Sequence, residues 1–71
     1  MAFLFFTNAA ENFEGQSVAI NTEMVLSVLE RKVEDEKTKK TKTTTVLYAG
    51  VNGSWEVSEP FLEVVARLNE Q

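Results

Sequence analysis

"KTTTVLYAGVNGSWEVS", Lys42 to Ser58, decides the fold. Three threonines, two valines and a tyrosine before Asn52 suit a pleated, half-buried strand. Asn52-Gly53 predicts a two-residue type I′ hairpin turn, in which both positions take positive φ. "SWEVS" is the return strand. This turn sets Val51 opposite Ser54, Gly50 opposite Trp55, Ala49 opposite Glu56 and Tyr48 opposite Val57. Trp55 then covers the strand glycine Gly50. Val46, Tyr48, Trp55 and Val57 share the expected core face. Leu47 and Val51 point the other way and need a second layer or a partner chain.

Downstream, "EPFLEVVARLNEQ" (Glu59–Gln71) reads as a helix. Pro60 suits the first helical position, because the amide it lacks would have no partner there. Glu59 or Ser58 is then the expected cap, since a residue before proline avoids helical backbone. Glu63 near the start and Arg67 near the end complement the helix dipole. Phe61, Val64, Val65 and Leu68 form one apolar stripe for docking on the sheet.

Upstream, "AFLFFTN" (Ala2–Asn8) reads as an aromatic strand, buried on both faces or by a partner. "AAENFEG" is a connector ending at Gly15, with Phe13 as its expected core anchor. "QSVAIN" places Val18 and Ile20 on one face, and Asn21 closes the strand. "NTEM" reads as a tight turn or a single helical turn, because Asn and Thr bond local backbone. "VLSVLERKVE" (Val25–Glu34) is ambiguous, because "EMVLSVLERKVEDEK" (Glu23–Lys37) also fits a helical period through Met24, Val28, Arg31 and Asp35. We read it as a strand because the next strand needs an antiparallel neighbour close in sequence.

Between these last two strands lies "VEDEKTKKTKTTTV" (Val33–Val46). Residues 31–42 hold six cations against Glu34, Asp35 and Glu36, whereas the rest of the chain holds Arg67 against eight acids. One end of the molecule is therefore expected to be basic on an otherwise acidic body of net charge −4. Lys37, Lys39, Lys40 and Lys42 form the candidate interaction element. Three readings fit it: a solvated hairpin tip, a contact with nucleic acid or another acidic partner, and a contact with the acidic body of a second copy. Single-strand binding ordinarily adds aromatic stacking platforms, and no aromatic lies between residues 14 and 47.

Seventy-one residues make one expected domain, 1–71, with a core that buries only about 60% of the unfolded surface. Such domains are commonly stapled, and this one has neither cysteine nor histidine, so disulfides and the usual zinc ligands are absent. Self-association is the remaining staple. No nucleophile elbow, phosphate-binding glycine loop or metal motif is present, so we expect no enzymatic activity and no cofactor. The opening apolar run is short and lacks a basic flank, and no run spans a bilayer, so the expected location is the cytoplasm, without membrane contact. Six aromatics, Phe3, Phe5, Phe6, Phe13, Trp55 and Phe61, exceed what one small core requires. Phe3, Leu4, Phe5, Phe6, Leu47 and Val51 are the candidate oligomer interface.

"VAINTEMVLSVLE" (Val18–Glu30) and "NGSWEVSEPFLEVVARL" (Asn52–Leu68) together resemble the small FlbD-type proteins associated with flagellar and swarming motility, and similar short bacterial and phage proteins. The shared layout is a strand ending in Asn, here Ile20-Asn21, a hairpin with Asn52-Gly53, and a helix opening just after Val57 and Glu59. The aromatic N-terminal strand and the charged excursion depart from that layout. The resemblance implies no catalytic residues. The expected fold is mainly β (α+β): a bent antiparallel sheet of about five strands, a long charged β-ribbon and one C-terminal helix. The expected function is a non-enzymatic assembly or regulatory module acting through protein–protein contacts, homo-oligomeric and with unidentified protein partners. The alternative is a nucleic-acid-binding module using the lysine tip.

Overall fold

The computed structural model describes residues 2–70. Five strands and one helix follow in order: β1 (Phe3–Thr7), β2 (Ser17–Asn21), β3 (Ser27–Glu34), β4 (Thr41–Tyr48), β5 (Ser54–Val57) and α1 (Phe61–Asn69). The chain is mainly β, as its patterning requires. The strands divide into two antiparallel sheets, β1-β2 and β3-β4-β5. An isolated bridge between Asn8 and Val57 joins them. Around it, the Ala9 amide donates to the Glu56 carbonyl at 2.9 Å and the Ser58 amide to the Thr7 carbonyl at 2.9 Å.

Alternation sorts the side chains. Leu4 pairs across from Ile20, and Phe6 from Val18, so these four share the inner face of the β1-β2 hairpin. Val28, Leu47 and Trp55 line the inner face of the second sheet. Phe6, Ile20, Leu47, Val57 and Val64 form the buried core, with Leu4, Val18, Val25, Val28, Trp55 and Leu68 packed around it. Val64 enters from α1, whose stripe of Phe61, Val64, Val65 and Leu68 faces inward while Leu62 faces water.

Three local expectations are revised. The turn after β4 is not a two-residue hairpin. Residues 49–53 form a wider loop around a 3-10 turn, Gly50–Asn52, closed by the Ala49 amide on the Gly53 carbonyl at 2.8 Å. Gly50 and Gly53 take φ of 65° and 95°, while Asn52 stays at negative φ. A second glycine two residues before Asn52 thus supplies the left-handed step that the Asn was expected to take. A side chain on Gly50 would also meet the Leu26 Cδ1 atom at 3.0 Å.

The wider loop slides the pairing by three residues, so Tyr48 meets Ser54 and Leu47 meets Trp55. An odd shift reverses every side chain of one strand. Leu47 turns inward and is fully buried, and Tyr48 turns out with 46% of its surface exposed. The reversal buries a purely apolar side chain and leaves the tyrosine hydroxyl in water, which avoids a buried hydroxyl needing a partner.

At the helix, Pro60 is the cap residue itself, with ψ of 149°, and its carbonyl accepts the Val64 amide at 3.0 Å. Glu59 is thereby released to accept the Thr7 amide on both carboxylate oxygens at 2.9 Å. Phe13 is not a core anchor: its ring is 54% exposed on the connector.

The turn after β2 forms as read. A 3-10 turn spans Thr22–Met24, and the Asn21 side chain accepts the Glu23 amide at 3.1 Å.

Truncating Leu47 to Ala is expected to cost about 2–5 kcal/mol, the range for a buried leucine. Val51→Ser, on the exposed loop, is expected to fall within about 0.5 kcal/mol of the parent. Urea unfolding followed by circular dichroism distinguishes this register from the two-residue turn, which would exchange the burial of Leu47 and Tyr48.

Candidate functional site

The β3-β4 ribbon is the longest element and projects beyond the three-stranded part of its sheet. β4 pairs with β3 from residue 41 to 48 but with β5 only from residue 45 to 48. Its tip is organised by Asp35. The Asp35 amide donates to the Lys40 carbonyl at 2.9 Å, and its carbonyl accepts the Lys39 amide at 2.7 Å. Its carboxylate accepts the Lys37 amide at 2.9 Å. Lys39 takes φ of 56°, the left-handed step that closes the tip. Asp35 therefore serves backbone amides within the turn.

The four candidate lysines separate into two groups. Lys37, Lys39 and Lys40 ride on the exposed tip. Lys42 lies on β4, and its Nζ donates to the Glu14 carboxylate at 2.7 Å. That hydrogen bond, followed by the simple attraction of opposite charges, holds the Glu14 carboxyl below its usual range and the Lys42 ammonium above its own. Both groups are solvent-exposed, so the pair acts as a tether for the connector more than as a source of stability. The connector and ribbon enclose an open cleft of about 230 Å³. In it, Arg31 approaches Glu56 at 3.7 Å, and the Thr44 hydroxyl donates to Glu56 at 2.6 Å. The cleft thus places carboxylates against its own cations.

The six residues expected at an oligomer interface also separate. Phe6 and Leu47 belong to the core of the single chain and are not available to a partner. Sheet alternation turns Phe6 inward with Leu4, and the loop register turns Leu47 inward. Leu4 is half-buried against the same core. Phe3 and Phe5 remain on the outer face of β1, 53% and 66% exposed, and Val51 stands fully in solvent at the loop apex.

Sequence reasoning missed a further apolar run beside the ribbon. Leu29 and Val33 on β3, and Leu26 just before it, are exposed, and among the described residues no strand pairs with the outer side of β3. The signal was present in the alternation of Leu29, Arg31 and Val33, but it became readable only once β3 was fixed as an edge.

Among the described residues, no group of three or more Asp or Glu side chains is arranged to hold a metal ion. No helix among them is long and apolar enough to cross a membrane. An open groove of about 700 Å³ runs beside the start of β3, from Val25 to Val28. Compared with known proteins, the chain matches no family model, no curated protein and no solved structure.

The sign of the Glu14–Lys42 coupling gives a direct test. Lowering of the Glu14 pKa contributes stability that is complete above its unfolded value and is lost as pH falls through the folded one. Raising of the Lys42 pKa contributes stability that is lost as pH climbs through its elevated value. In an NMR titration the Glu14 midpoint is expected below the ordinary glutamate range. Lys42→Ala should return it to the ordinary range, and so should high salt, which screens exposed pairs.

Proposed function

We propose that this chain is a non-enzymatic assembly or regulatory module that acts through protein–protein contacts and self-associates. One observation carries the reading: the single chain completes its core and still leaves large apolar side chains outside it. Phe3 and Phe5 stand together on the outer face of β1, and Leu26, Leu29 and Val33 follow the β3 edge. Scattered exposed hydrophobics are ordinary on a monomer, but contiguous ones mark contact surfaces. A chain of this size without cysteine or histidine also has few other ways to gain stability. The likeness to FlbD-type proteins points the same way, toward a module without catalytic residues.

Nucleic-acid binding is less well supported. Lys42 is engaged by Glu14, which leaves three tip lysines to contact phosphates. No aromatic side chain accompanies them between residues 14 and 47. Three phosphate contacts yield a shallow salt dependence and modest affinity.

Sedimentation velocity over a concentration series tests the reading. The weight-average mass is expected to rise above the 8.0 kDa of one chain. A mass that stays at one chain throughout the series would contradict self-association.

A further inference from the structure

We propose that two copies of this chain pair antiparallel through the open edge of β3, in the register that sets Arg31 opposite Arg31 of the second copy. The inference rests on the protein-contact reading above and specifies the surface and the partner.

Backbone parity shows which groups the edge offers. The Ala49 amide donates to the Gly53 carbonyl, so residues 49 and 53 are a hydrogen-bonded pair. In an antiparallel ladder such pairs alternate with non-bonded ones. Leu47 and Thr45 therefore bond toward β5, while Tyr48, Val46, Thr44 and Lys42 bond toward β3. Their partners there are Ser27, Leu29, Arg31 and Val33. Val28, Glu30, Lys32 and Glu34 turn their N–H and C=O groups outward to the free edge. Among the described residues, no turn, loop or cap hydrogen bond uses those groups. An eight-residue edge with this row of open donors and acceptors is a template for another strand.

The side chains choose the occupant and the register. A symmetric antiparallel pair places one residue opposite its own copy, because facing residues must lie on the same side of the sheet. Centring on Glu30 opposes two carboxylates. Centring on Lys32 opposes two ammonium groups and sets Glu30 against Glu34. Centring on Leu29 sets Glu30 against Val28 and leaves residues 32–34 without a strand partner, and centring on Val33 leaves only residues 32–34 of each strand overlapping. Centring on Arg31 pairs Glu30 with Lys32 of the second copy, twice, on one face. On the other face it pairs Leu29 with Val33 of the second copy, again twice, covering side chains that are 54% and 38% exposed. Unlike charges and apolar pairs facing each other across strands are both favourable.

The apposed arginines are accommodated by the fold. Arg31 reaches across β4 to Glu56 on β5, with Nη1 at 3.7 Å from Oε1. Its charge is thereby drawn away from the edge and partly neutralised. In the same register, Glu34 and Asp35 of the second copy come beside Val28 and Ser27, where the groove of about 700 Å³ leaves room for them.

Cysteine scanning in a chain that has no native cysteine tests this register without background. Non-bonded antiparallel pairs hold their Cα atoms about 4.5 Å apart, within disulfide reach. Arg31→Cys is expected to form a covalent dimer under mild oxidation, on the order of tenfold or more faster than Leu62→Cys on the exposed face of α1. Leu29→Cys or Val33→Cys alone should link poorly, since each lies about 13 Å along the strand from its own copy. The Leu29→Cys/Val33→Cys double variant should link well.

A charge exchange provides a second readout. Glu30→Lys should abolish the dimer in sedimentation velocity, and Glu30→Lys with Lys32→Glu should restore it. Dimers that form without selective linkage at Arg31→Cys would overturn the β3 register while leaving the protein-contact reading intact. A wild-type chain that stays monomeric throughout would overturn both.

Discussion

Glu59 ties the molecule together. Its carboxylate accepts the Thr7 amide on both oxygens, and its carbonyl accepts the buried Thr45 hydroxyl at 2.7 Å. One residue therefore connects the end of β1, the middle of β4 and the entry to α1. Among the described residues, the two sheets share one isolated bridge, at Asn8 and Val57. Without Glu59 the Thr7 amide would lose a charge-assisted bond, and such bonds are stronger than neutral ones. Because Pro60 takes the cap position and offers no side-chain bond, Glu59 is free to serve the sheets. The placement of Val64 over Leu47 and Val57 depends on this joint, since it sets where the helix starts.

The core then follows from register. Thr45 can reach Glu59 only if it points inward, and inward Thr45 requires inward Leu47 on the same strand. The loop of residues 49–53 satisfies that parity, whereas the two-residue turn would have broken it. Local turn chemistry and the global joint agree at this point, and such agreement is characteristic of sequences that fold to one state.

Much of this was legible in the sequence because the signals were local. Alternation identified β1, β2, β4 and β5, and Asn21 marked the 3-10 turn that leads to β3. The apolar stripe from Phe61 to Leu68 identified α1. The register of β4 was not legible, because it depends on which of two glycines begins the left-handed step and on a contact between Thr45 and Glu59 that is distant in sequence. The site was legible in outline and wrong in detail for related reasons. Composition could find an excess of apolar residues but could not divide them: Phe6 and Leu47 went to the core, while Phe3 and Phe5 stayed outside. Lys42 appeared to belong with the tip lysines until the connector brought Glu14 against it. The β3 edge was invisible until the strand order showed that, among the described residues, no strand pairs with its outer side.

The chain is a closed fold with an open β3 edge, the surface proposed to meet another copy. Amide hydrogen exchange resolved by residue and repeated across protein concentration tests this most directly. The Leu29 and Arg31 amides, which bond to β4, should be protected at every concentration. The Glu30 and Lys32 amides should exchange freely when dilute and gain protection as the protein is concentrated. Glu30 and Lys32 amides that exchange equally fast at all concentrations would contradict the account.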